Sequence, residues 1–310
     1  MYREFPRSRP TAVLGLALLA GSAALAGCGG HSSAQSETEA GRSGTDRSRP
    51  AGAGGGAVSA EAPRARVPIL MYHVVNGAPP GTALPGLWLS RTEFRTEVEA
   101  LAARGFNAVT LEQVWKAWHH GEALPAKPVV FSFDDGYASQ YTNALPVLRS
   151  HGWPGVLNLE VATLHTTLRP WQVRALIRSG WEVDDHTMTH PDLTKVDSTQ
   201  LRYEVAGSRA WIRREFHVPV DFFCYPAGRY DARVIAAVKA AGYRAATTTR
   251  EGVAGPSQPR YQLPRIRVDS RAAFAAVERR MQAATGGSPT RGRCASPSCR
   301  PRSRRSLPRS

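Results

Sequence analysis

The sequence predicts an α/β protein, a (β/α) barrel, complete or incomplete, with disordered N-terminal and C-terminal extensions. Short apolar runs alternate at least six times with segments of helical spacing, the signature of a parallel sheet built from βα units. No long hairpin signal interrupts them. The polar motifs all fall just after strand ends, and in a barrel the active site gathers at that face. Alternation alone also permits an open doubly wound sheet; the placement of the motifs favours the barrel.

The elements follow in order. Residues 67–72 form a short apolar strand, and 91–104 a helix with Phe94, Val98 and Leu101 on one face. A strand at 107–110 and a helix at 111–119 come next. The second strong strand, 128–133, precedes a helix at 141–151 and a strand at 155–159. A helix at 172–179 is ended by Gly180, and a strand at 181–183 leads into a pair of histidines. One long helix is expected over 199–216, then a strand at 220–225 and a helix at 232–241 ended by Gly242. Strands at 243–247 and 263–268 and a closing helix at 271–281 complete the domain.

The ends read differently. Arg3, Arg7 and Arg9 precede an apolar run at 12–19, and small residues lead to Leu25-Ala26-Gly27-Cys28. These are the charged, apolar and small-residue sections of a secretory signal, and the last four residues resemble a bacterial lipobox, whose Cys is lipidated. The apolar run is shorter than the roughly 20 residues that a membrane span needs. The chain is therefore expected to be exported and anchored at the outer face of the bacterial cell membrane through a lipidated Cys28. Plain secretion is the alternative. Residues 29–66, rich in Gly, Ser and Ala, read as a flexible linker, 67–285 as the folded domain and 286–310 as a disordered Arg-rich tail.

The formal charge of +15 lies largely outside the domain: the tail carries +7, residues 1–28 +2, the linker +1 and the domain +5. A domain this modestly basic, without aromatics interleaved on a basic stripe, argues against nucleic acid as a partner. No obligate protein partner is evident. Cys224 in the domain and Cys294 and Cys299 in the tail show no framework of paired spacings, so disulfides are not expected to hold the domain together.

Two motifs carry the chemistry. Phe131-Ser132-Phe133-Asp134-Asp135-Gly136 ends a strand with adjacent carboxylates. They repel, and a divalent cation lets both stay ionised. Successive residues at a strand end point in different directions, so the pair can divide a ligand role from a base role. An Asp-Asp-Gly turn is also a common structural device. In His186-Thr187-Met188-Thr189-His190-Pro191 the histidines stand four apart; on a helical turn both rings lie on one face and meet one ion. Asp192 follows, placed to orient a ligand ring as a hydrogen-bond acceptor. One carboxylate and two imidazoles are the equipment of metal-assisted hydrolysis, and suit Zn2+, with Co2+, Ni2+ or Mn2+ allowed by ligand type.

These two stretches resemble the first and second motifs of the polysaccharide deacetylases, the NodB-homology enzymes of carbohydrate esterase family four. Val67-Pro68-Ile69-Leu70-Met71-Tyr72-His73 is similar to the opening strand of the family's exported poly-N-acetylglucosamine deacetylase branch. The resemblance covers 67–285 and implies a distorted (β/α) barrel of the NodB-homology type. It implies Asp134 as catalytic base and Asp135, His186 and His190 as metal ligands. Phe223-Cys224-Tyr225-Pro226-Ala227-Gly228 resembles the third motif, which implies substrate and oxyanion contacts at Tyr225, Pro226 and Ala227, the backbone N–H of Ala227 being the donor. The activity implied is metal-dependent removal of N-acetyl groups from N-acetylglucosamine units of an extracellular or cell-wall glycan. The alternatives are an O-acetyl xylan esterase and a non-catalytic glycan-binding protein with a degenerate metal site.

Three departures from the family pattern set further expectations. Cys224 stands where many members carry an Arg that steadies the base; Arg265, in the strand at 263–268, is the candidate to supply that charge. No His follows His217, where the family's fifth motif places the acid that protonates the leaving amine; His73, just past the first strand, is the candidate acid. Asp184-Asp185 precedes His186 where the family shows a small or neutral residue, which adds negative charge near the ion.

Overall fold

The computed structural model describes residues 65–269 and 274–285. The expected signal with Cys28, all but the end of the linker, and the Arg-rich tail lie outside the described residues. Ala65 accepts a hydrogen bond from Trp118 Nε1 (2.9 Å), and Arg66 donates to the Val253 carbonyl (2.9 Å). Packed structure therefore begins two residues before the expected boundary at 67. Among the described residues no helix is long and apolar enough to cross a membrane.

The strands are β1 (Ile69–Tyr72), β2 (Val74–Val75), β3 (Trp88–Leu89), β4 (Asn107–Ala108), β5 (Pro128–Asp135), β6 (Val156–Leu159), β7 (Glu182–Asp185), β8 (Phe222–Cys224), β9 (Ala245–Glu251) and β10 (Leu263–Arg267). Seven of them, in the order β1-β10-β9-β8-β7-β6-β5, pair in parallel, and β1 also pairs with β5, so the sheet closes on itself. That closure decides for the barrel over the open sheet. β4 adds to the first residues of β5, while β2 and β3 form a separate pair that the sequence did not announce.

The period-2 alternation sorts the strand residues into two layers. Ile69, Val130, Val156, Phe222, Ala245 and Leu263 cluster with Leu111, Val114 and Ala117 of one helix, which covers the N-terminal end of the barrel. Leu70, Tyr72, Phe131, Phe133, Leu157, Val183, Phe223 and Ile266 form the other layer with the surrounding helices. There Tyr72 and Phe133 stack (5.2 Å), and Phe133 stacks on Trp181 (4.9 Å). With the lower interior filled by apolar side chains, chemistry is confined to the strands' C-terminal end.

The helices are α1 (Arg91–Ala103), α2 (Leu111–His120), α3 (Leu145–Ser150), α4 (Pro170–Arg178), α5 (Ser198–Arg202), α6 (Ser208–Phe216), α7 (Ala232–Ala240) and α8 (Phe274–Thr285). Capping boxes start α1 (Ser90 with Glu93) and α2 (Thr110 with Gln113), and Gly121 in the left-handed conformation ends α2. The long helix expected over 199–216 is instead α5 and α6 joined by a π-helical turn at Tyr203–Gly207, and a second such turn, Gln140–Ala144, leads into α3. Each π-turn turns a polar side chain, Gln140 or Glu204, into complete burial. Both serve the site described next.

Candidate active site

The first motif ends β5 and divides its two carboxylates. Asp134 is fully inside, where the Arg265 guanidinium grips it bidentately from β10: Nη1 to Oδ1 at 2.7 Å and Nη2 to Oδ2 at 2.8 Å. Asn158 Nδ2 donates to Oδ1 as well (2.7 Å), and His73 Nε2 stands 3.8 Å from Oδ2. Burial pushes the Asp134 carboxyl up, but the paired guanidinium overrides it and holds it far below the carboxylate range. Arg265 therefore fills the place that Cys224 leaves without a charge. Its Nη2 lies 3.2 Å from Cys224 Sγ, and its Nε donates to the Thr248 carbonyl.

Asp135 takes a left-handed backbone conformation (φ 73°), rare for a residue with a Cβ, and its carboxylate meets the histidines instead. Oδ1 lies 3.3 Å from His186 Nε2 and 3.7 Å from His190 Nε2. Ligand atoms about 2.0–2.2 Å from a tetrahedral zinc stand roughly 3.3–3.5 Å from one another, so the three groups fit one small divalent ion. Gly136 (φ 98°) is required after Asp135, because a Cβ there would come within 2.8 Å of Thr163 Oγ1, which donates to the Asp135 carbonyl. A second cluster, Asp134 with His186 and Cys224, is also compact. It is a poor cation site, because the Arg265 guanidinium already lies against both Asp134 and Cys224.

The His186–His190 segment is not the helical turn expected from its spacing. It is a loop with Thr187 (φ 74°) and His190 (φ 55°) left-handed. Glu204, delivered by the π-turn, holds it by accepting from the backbone N–H groups of Met188 and Thr189 and from Thr189 Oγ1. His186 Nδ1 donates to the Cys224 carbonyl (2.7 Å), which fixes the tautomer and leaves Nε2 to face Asp135. Burial, with His186 beside it, pushes His190 down to about 4, so its ring is neutral and ready to ligate at physiological pH.

Several expectations are corrected. Asp192 orients neither ring: it accepts from Thr194 and Arg229 and pairs with Lys195, and the Cys224 carbonyl does the orienting. Tyr225 does not face a substrate; it is buried, and its hydroxyl bonds the Tyr261 carbonyl, with Pro226 buried after it. Ala227 is exposed in a left-handed turn (φ 50°) and leaves only its backbone to contact a ligand. Asp184 and Asp185 are both buried and join neither cluster of metal-binding groups. Asp184 accepts from the Phe222 N–H, and burial, with Glu182 beside it, pushes its carboxyl up. Asp185 accepts from Thr187 N, Ser208 Oγ and Tyr243 Oη, which pins the histidine loop; burial pushes it up to about 7.

Sequence reasoning missed Asn158, Gln140 and Glu204. Asn158 was findable as the one polar residue in the apolar run of β6. Gln140, whose amide donates to the carbonyls of both Asp134 and His73, lies in an unremarkable helical stretch. So does Glu204.

Comparison with known proteins points to polysaccharide deacetylases. Residues 121–246 match the polysaccharide deacetylase family model. YxkH of Bacillus subtilis strain 168 is 28% identical over 207 residues, 66% of this chain and 72% of that protein. A poly-beta-1,6-N-acetyl-D-glucosamine N-deacetylase of Staphylococcus epidermidis is 26% identical over 194 residues, 57% of this chain and 67% of that protein. The solved structure of the Streptococcus pyogenes deacetylase PplD in complex with acetate has a TM-score of 0.66 at 24% identity, over 70% of this chain and 99% of that one, a likeness of fold.

Proposed function

We propose, from the match of residues 121–246 to the polysaccharide deacetylase family model, that this chain removes N-acetyl groups from N-acetylglucosamine units of an extracellular or cell-wall polysaccharide with a bound divalent metal. One observation carries the reading: Asp135 Oδ1 and two imidazole Nε2 atoms converge beside an Asp134 that is engaged separately by Arg265. The N-terminal sequence supports export and attachment at the outer membrane face through Cys28, with secretion as the alternative.

Asp135, His186 and His190 would hold the ion, and the donor set suits Zn2+. Held there, it would supply polarisation of the acetamide carbonyl and a lowered pKa for the attacking water. Asp134 takes the proton from that water. Because Arg265 so depresses the carboxyl, protonated Asp134 is a strong acid and the proton does not rest there. His73 is the next acceptor: its Nε2 is 3.8 Å away, and burial lowers its pKa despite the neighbouring Asp134. It then hands the proton to the departing amine nitrogen. His73 thus acts as the acid only after relaying what Asp134 collects. The Ala227 N–H stabilises the developing oxyanion, an interaction worth about 2.7–4 kcal/mol in comparable sites.

The test is acetate release by the metal-loaded protein from N-acetylglucosamine oligomers and, in parallel, from acetylated xylan. Acetate is expected from the oligomers, lost on treatment with dipicolinate and restored by Zn2+. Acetate from xylan alone would make the protein an esterase. Glycan binding with acetate from neither substrate would make it a binding protein.

A further inference from the structure

Trp171 is 56% exposed, one of three large apolar side chains so placed among the described residues. Its position is built rather than incidental. Pro170 starts α4, and Gln172, largely buried, accepts from the Arg169 N–H (2.8 Å), so the first turn is fixed with the indole outside it. The ring of Tyr141 stands edge-on to the indole, 5.1 Å between centroids at 81°, which restricts the ring's rotation.

Both aromatics belong to the catalytic end of the barrel. Tyr141 follows Gln140, whose amide bonds the carbonyls of Asp134 and His73. Trp171 follows the loop at 160–169, whose Thr163 and Thr167 hydroxyls bond the carbonyls of Asp135 and Gly136. Each ring is thus tied by a short, hydrogen-bonded stretch of chain to the turn that carries the two carboxylates.

We propose that Trp171, braced by Tyr141, is a sugar-stacking subsite for a unit of the glycan chain other than the one whose acetamide is at the metal ligands. A pyranose ring presents a face of C–H groups with its hydroxyls around the edge. An indole that is rigid, uncharged and open to solvent matches that face and loses little freedom on binding. The occupant is a pyranose of the same polymer, since the segments that carry both rings are hydrogen-bonded to the turn that bears the two carboxylates. The inference rests on the deacetylase reading for the identity of that polymer.

The test compares metal-loaded wild-type, Trp171→Ala and Trp171→Phe proteins on N-acetylglucosamine disaccharide and hexasaccharide. The preference for the hexasaccharide, as the ratio of the two kcat/KM values, is expected to fall about tenfold in Trp171→Ala through KM, and to recover largely in Trp171→Phe. A fold defect would lower both rates and leave the ratio unchanged. Calorimetric titration of the hexasaccharide into Asp134→Asn protein, with and without Trp171→Ala, reads binding apart from turnover. An unchanged ratio with unchanged affinity overturns the subsite while the deacetylase reading stands. Trp171-dependent binding without acetate release from any glycan keeps the subsite and overturns that reading.

Discussion

Asp134→Asn is expected to lower acetate release by about 10²–10⁴-fold while one equivalent of metal is retained, the range for loss of a positioned general base. Asn keeps the size of the side chain but has no proton affinity to offer. Its Oδ1 can still accept from Arg265 and Asn158, whereas its Nδ2 would face Arg265 Nη2 donor to donor. That leaves a buried guanidinium short of its counter-charge, so the variant is also expected to be less stable, and turnover must be expressed per folded molecule by thermal melting. Metal retention separates this variant from a ligand variant: the three proposed ligands touch the ion from Asp135 and the histidine loop, not from Asp134. Near-normal turnover would remove Asp134 from the base role.

Arg265→Met is expected to cost about 3–5 kcal/mol of stability, the usual consequence of removing one partner of a buried, bidentate ion pair. The pH dependence gives the mechanism away. In the wild type the Asp134 carboxyl is held far below its unfolded value, so it adds stability above the unfolded pKa, about 3.9, and that stability is lost only as pH falls through the much lower folded value. Without Arg265, burial is left as the leading influence, and it raises the folded pKa above the unfolded one. The sign then reverses: stability falls as pH rises through the weakly acidic range, and the rate profile gains an acid limb because Asp134 must first lose its proton. Thermal melts and kcat/KM across pH 4–8 check both. Arg265→Lys, which keeps charge but not the two parallel hydrogen bonds, is expected to fall between. Identical pH profiles for all three proteins would show that Arg265 does not set the ionisation of Asp134.

The scaffold was legible because its signals are local. Runs such as 128–133 are apolar on both parities, as a strand covered on both faces must be, and the Gly stops at 180 and 242 fall where helices end. Proximity across the barrel was less legible. Arg265 reaches Asp134 over 131 positions because β1 lies between β10 and β5 in the closed sheet, so an Arg of that strand could be named as a candidate but its bidentate geometry could not.

The histidine pair shows how a correct assignment can rest on a wrong local picture. A spacing of four brings two rings together on a helix, but here two left-handed residues do so, supported by Glu204 from a π-turn far along the chain. Propensity does not foresee a Thr or His at positive φ, because tertiary hydrogen bonds supply the compensation. Asp192 and Tyr225 failed for a related reason. Both adjoin true site residues in sequence, and both turn their side chains elsewhere, to Arg229 and to the Tyr261 carbonyl.

The most direct measurement is the metal content of purified, acetate-releasing protein by plasma mass spectrometry, alongside His186→Ala and Asp135→Ala. One divalent ion per chain is predicted for the wild type, with loss of both ion and acetate release in each variant. Wild-type protein that turns over fully with no bound metal, or variants that keep a full equivalent, would contradict a shared site at Asp135, His186 and His190.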